Sequence, residues 1–202
     1  MAEQLAFDFD ALTRDPYTGR APLGFTIAPL TIEEIDEAGD EYVRQFGNFG
    51  MHVGHPHIWH RGYNSTDATE GHPFVMVSAD LGCTFGEHPQ DGPCCCVGGV
   101  IHRGVCGCGW VSSINPDEDP AVAEWHDHAW NGWRTLPVVP SSVPKDAAKK
   151  VREWMDESYP MGWVRPGVPV ITIRSAGGTR SVAGRAPMGG FDLSSTLLEV
   201  AA

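Results

Sequence analysis

The densest chemistry in the sequence is a set of six cysteines confined to residues 83–108: Cys83, the run Cys94-Cys95-Cys96, and Cys106-Gly107-Cys108-Gly109-Trp110. Two close thiolate pairs at the ends of short strands can converge tetrahedrally on one divalent ion. A glycine beside a ligand lets the backbone curl so that its amides face the sulfurs. Soft sulfur donors select zinc or iron–sulfur chemistry, and four of them fill a zinc shell with no position left for a catalytic water. The expected metal is zinc, held by Cys94, Cys96, Cys106 and Cys108. One residue separates Cys106 from Cys108 where the usual ribbon knuckle has two, which keeps Cys83, His88, His126 and His128 open as alternative donors. Such a closed site is structural and contributes about 10–16 kcal/mol of apparent binding free energy to folding. The competing reading is buried thiols that pack as small hydrophobes.

Histidines supply the second cluster. His52, His55, His57 and His60 could form a metal-dependent hydrolytic site, but that chemistry needs imidazoles and a carboxylate around an open position. The nearest acids in sequence are Asp67 and Glu70, no His-Glu-x-x-His pattern occurs, and structural or surface histidines are the preferred reading. His126-Asp127-His128, flanked by Trp125, Trp130 and Trp133, reads as a helix packing tryptophan into a core. No Gly-x-Ser-x-Gly elbow occurs, and no residue is assigned a catalytic role.

These residues must be carried by short elements, because 24 Gly and 16 Pro in 202 residues leave little room for long ones. Thr31-x-x-Glu34 is a capping box ahead of Ile32, Ile35, Val43 and Phe46 at helical spacing, predicting a helix from Thr31 to Gly47. Phe74–Ala79, Val97–Val105 and Trp110–Ser113 read as strands, and Ala121–Trp130 as a helix opened by Asp119-Pro120. A further helix is expected over Ser142–Ser158, with Ser142 as cap and Ala147, Val151, Trp154 and Met155 as its apolar stripe. Val168–Arg174 reads as a strand placed at a sheet edge by Pro169. The expectation is an α+β fold of short strands and about three helices around a cysteine-rich zinc site. Residues 1–29 form an extended arm and 30–202 one zinc-stabilised domain.

The net charge of −12 is uneven: residues 1–140 carry 6 Lys/Arg against 20 Asp/Glu, and residues 141–202 carry 8 against 6. An acidic surface repels phosphate and forfeits counterion release, which disfavours direct nucleic-acid binding. Arg165, Arg174, Arg180 and Arg185 lie in a stretch free of acids and are the residues that would hold a phosphate. No apolar run approaches the roughly 20 residues of a membrane span. The expected setting is cytoplasmic, where crowded cysteines are metal ligands more often than disulfides.

Two resemblances add to this reading. Gln4-Leu5-Ala6-Phe7-Asp8-Phe9 resembles the peptide by which bacterial proteins bind the DNA polymerase sliding clamp. That resemblance implies Gln4 as the contact at the pocket rim and Leu5, Phe7 and Phe9 as anchors in a hydrophobic groove. An alternating strand in the protein's own sheet is the other reading of the same six residues. The succession Gly47-Asn48-Phe49-Gly50, His57-Ile58-Trp59-His60, Ser78–Cys83, Cys96-Val97-Gly98, Cys108-Gly109-Trp110 and His126-Asp127-His128-Ala129-Trp130 resembles a family of uncharacterised proteins from actinobacteriophages and their hosts. It implies a bacteriophage setting, with the infected cell as the compartment, and no catalytic residue. The combined expectation is a non-enzymatic accessory protein of host takeover that docks on a host protein, the sliding clamp. Two alternatives stand beside it: a zinc-dependent nucleic-acid or nucleotide binder using the C-terminal arginines, and the hydrolase of the 52–60 histidines.

Overall fold

The computed structural model describes residues 31–46, 59–80, 99–144, 147–173 and 182–195, which form an α+β fold. Helix α1 (Ile32–Phe46) starts where the capping box predicts. The Thr31 amide donates to Glu34 Oε2 at 2.8 Å and the Glu34 amide to Thr31 Oγ1 at 3.2 Å, so two donors without intrahelical partners are satisfied reciprocally. Strands β1 (His60–Thr66), β2 (Phe74–Asp80) and β3 (Val100–Cys106) form an antiparallel sheet in chain order. A bulge between Arg61 and Ser65 interrupts the β1 register.

Alternation along β2 decides the layering. Phe74 and Met76 point into a core shared with the rest of the chain, while Val75, Val77 and Ala79 point the other way, into a smaller cluster with Ile35, Trp59 and Val105. The strand is therefore covered on both faces, α1 supplying the outer cover and helix α2 (Glu118–Ala129) the inner one. After β3 the chain reverses and returns along it. The Cys106 amide donates to Trp110 O at 2.8 Å and the Ser112 amide to Gly104 O at 2.9 Å, and His102 and Asn115 exchange both backbone hydrogen bonds. The segment expected as a Trp110–Ser113 strand is thus a short return paired to β3 through isolated bridges.

The second sheet is mixed, ordered β4 (Val138–Val139), β5 (Val170–Thr172), β7 (Phe191–Ser194) and β6 (Val182–Ala183). Strand β5 pairs in parallel with both β4 and β7, so it is interior and not at the edge that Pro169 suggests. Pro169 precedes the first ladder residue, Val170, and withholds no donor from the sheet. Helix α3 spans Ala148–Ser158 and not Ser142–Ser158, because the turns closed by Val143 N to Pro140 O and Ala147 N to Pro144 O occupy the expected first turns. Its buried residues, Val151 and Met155, keep the four-residue spacing. Helix α2 begins at Glu118, three residues before the expected Ala121, which leaves Pro120 in the first turn where its missing N–H removes no bond. No helix among the described residues is long and apolar enough to cross a membrane. The arm over residues 1–29 lies outside the described residues.

Candidate metal centre

Four donor atoms from three parts of the fold converge at one end of the first sheet. His72, Cys106, Cys108 and His128 each offer one ligand atom, and all four lie within 4.8 Å of one another, a Cys/His cluster that could hold a metal ion. The strand register makes half of it. Phe74 pairs with Cys106 in the β2–β3 ladder, so continuing the ladder by two residues sets His72 opposite Cys108. The Gly107 amide extends that pairing by donating to Pro73 O at 2.9 Å. Beyond Cys106 the chain makes a tight turn, with the Gly109 amide donating to Cys106 O at 2.9 Å and Gly109 at φ 91°. That dihedral is open to glycine at little cost. Helix α2, running beside β3, brings His128 in from its last turn.

The separations come close to those of a tetrahedral shell. Zinc bonds of about 2.3 Å to sulfur and about 2.0 Å to nitrogen place neighbouring ligand atoms roughly 3.3–3.8 Å apart. Cys106 Sγ and Cys108 Sγ are 3.4 Å apart, Cys106 Sγ and His72 Nδ1 3.6 Å, and Cys108 Sγ and His128 Nε2 3.1 Å. The His128 ring lies flat on Trp110, with centroids 4.8 Å apart and planes at 5°, which fixes its orientation. Burial, aided by nearby His72, lowers the His128 pKa and favours the neutral imidazole a metal requires.

Cys106 is buried and its thiol is pushed up to about 11, with burial the leading cause. Opposing that burial, the Cys108 backbone amide and the nearby Trp125 indole favour the thiolate. Trp125 is fully buried, and its indole N–H has no hydrogen-bond partner among the described residues. An unsatisfied buried donor costs about 1–3 kcal/mol, and a metal-bound thiolate at Cys106 would supply the acceptor this one needs. Replacing Trp125 by Phe is therefore expected to weaken metal binding about 10-fold or more in competition with a chelator. In the cobalt-substituted protein it should also shift the sulfur-to-metal absorption band, a change that loss of packing alone would not produce.

The expected donors distribute as follows. Cys106, Cys108 and His128 are brought together; Cys83, His88, Cys94 and Cys96 lie outside the described residues. His126 is not part of the cluster. It is fully buried among Trp125, Trp133 and Phe191, its Nδ1 is 2.8 Å from Val122 O, and burial lowers its pKa to about 3. It stands two positions before His128, and on a helix that spacing turns the side chain to the opposite face. His72 is the donor that sequence reasoning missed. Its signal was positional: it stands two residues before β2, so antiparallel pairing with the strand ending at Cys106 carries it to the knuckle.

Among the described residues, no other candidate joins this centre. His60 opens β1, is half-buried and has its pKa lowered by burial, whereas His52, His55 and His57 lie outside the described residues. Arg165 stacks its guanidinium over Trp130 at 4.6 Å, and Arg185 is exposed beside β6. Arg174 and Arg180, like Gln4, Leu5, Phe7 and Phe9, lie outside the described residues. The model of a family of unknown function, DUF6349, matches residues 21–202. No curated protein and no solved structure matches the chain.

Proposed function

Because the chain belongs to this family of unknown function, its role must be argued from its own donor atoms, and we propose that it is a zinc-stabilised, non-enzymatic binding protein. His72, Cys106, Cys108 and His128 hold one zinc ion, and the observation that carries this reading is their convergence within 4.8 Å from the start of β2, the β3 knuckle and the end of α2. Two sulfurs and two nitrogens suit zinc, and four protein ligands leave no position for a catalytic water. The ion would tie the knuckle to the helix, which is a structural task.

On that scaffold, Gln4–Phe9 acts as a docking peptide for a host protein, the DNA polymerase sliding clamp, in the setting of bacteriophage infection. Its support is the motif itself and its place ahead of residue 21, where the family match begins, as befits a peptide appended to a common domain. A short apolar peptide of this kind orders on its partner at modest affinity.

Two measurements test the two parts separately. Elemental analysis of the purified chain should give one zinc, abolished in Cys106→Ser with Cys108→Ser; retention of zinc by that variant would reassign the ligands. Immobilised clamp should retain the full chain and release it when Phe7 and Phe9 are both replaced by Ala. Equal retention of the two forms ends the docking reading and leaves the metal reading intact.

A further inference from the structure

We propose that Cys106 and Cys108 are a hydroperoxide-sensitive modification site, at which oxidation joins the two sulfurs in a disulfide and expels the ion. The inference rests on the zinc reading of the same four residues. Its geometric basis is the spacing of one residue: the turn holds the two sulfurs 3.4 Å apart, and a disulfide needs them to close to about 2.05 Å. The residues between and after them, Gly107 and Gly109, bring no side chain to obstruct that closure. The cysteines differ in access. Cys108 is exposed at the tip of the turn, whereas Cys106 is 1% exposed, so an oxidant from solvent meets Cys108 first.

The steps balance as follows. The Cys108 thiolate attacks one peroxide oxygen, the O–O bond breaks, and Cys108 becomes a sulfenic acid while hydroxide leaves and takes a proton from solvent. The Cys106 thiolate then attacks Cys108 Sγ, the S–S bond forms, and the S–O bond breaks to release a second hydroxide, which is also protonated. Two thiolates have given two electrons to hydrogen peroxide, which with two protons becomes two waters, and zinc leaves as the divalent ion. His72 and His128 remain as two imidazoles on separate elements, half the donor set.

The test uses the full chain loaded with zinc. Zinc content is read first, so a failure of the metal reading is seen before any oxidant is added. Hydrogen peroxide is then supplied, with a chelating dye reporting released metal and peptide mass mapping locating the modification. The expected result is one zinc released per chain and a Cys106–Cys108 peptide lighter by two hydrogens, both reversed by dithiothreitol and added zinc. Retained zinc, a sulfinic acid at Cys108 with Cys106 untouched, or a bridge to Cys83, Cys94, Cys95 or Cys96 would each overturn the inference. Cys108→Ser should abolish the mass change, and if that variant does not fold, the wild-type map decides alone.

Discussion

Stripping the metal with a strong chelator is expected to lower the melting temperature by about 20 °C or more. The apparent contribution of a structural zinc is about 10–16 kcal/mol, and for a domain of this size each kcal/mol shifts the midpoint by about 2–4 °C. Without the ion, the knuckle keeps the Trp110–His128 ring stack and its backbone bonds, such as Cys106 N to Trp110 O and Gly107 N to Pro73 O. Nothing else among those bonds ties it to the end of α2, so hydrogen exchange should accelerate first over residues 106–110 and the last turn of α2. Acid should act in the same direction, because protons compete for the thiol sulfurs, and the elevated Cys106 value in the metal-free site means that its proton must be displaced on binding. A melting curve indifferent to chelator, read by circular dichroism on protein shown to contain zinc beforehand, would remove the structural role.

The second large effect concerns backbone packing between the two sheets. A Cβ at Gly190 would lie 2.1 Å from Val168 O and 2.8 Å from Gly167 O, and neither atom can rotate away as a side chain could. Gly167 has φ +81°, and a Cβ there would meet Thr69 Oγ1 at 2.1 Å. These glycines sit where the Pro187–Gly189 turn closes on the loop before β5 and on the end of β1, through Gly167 N to Met188 O at 2.9 Å and Thr66 Oγ1 to Gly189 O at 2.7 Å. Gly190→Ala should cost about 3–5 kcal/mol in chemical denaturation. Gly39→Ala, inside α1 with nothing among the described residues within 4 Å of the added methyl, should instead gain about 0.5–1 kcal/mol. Equal effects at the two positions would show that close backbone approach is not what Gly190 provides.

What could be read from the residues alone follows the range of the forces involved. The start of α1 was legible because Thr31 and Glu34 are three residues apart and satisfy each other locally. Strand β2 was legible from its apolar run, and Cys106 and Cys108 from their spacing. The interior position of β5 was not, because it depends on which strands flank it, and β4 and β7 lie about 30 and 20 residues away in the chain. His72 was hidden for a related reason. It is 34 residues from Cys106, and only the β2–β3 register brings them together. His126 drew attention by composition, but the 3.6-residue helical period turns His128 to the cysteines and His126 to the tryptophans.

The borders of the two sheets also bear on how the chain avoids polymerising with copies of itself. An open, regular strand border is a template for adding another chain. Here the β1 border is broken by its bulge, the outer side of β3 is occupied by Val111 and Asn115, and the outermost strands of the second sheet, β4 and β6, are two residues long. With a net charge of −12 adding mutual repulsion, each described border is blunted, by a bulge, a returning segment or sheer shortness. Straightening β1 by deleting the two residues that its bulge adds would therefore hand the molecule an adhesive margin that its described borders lack.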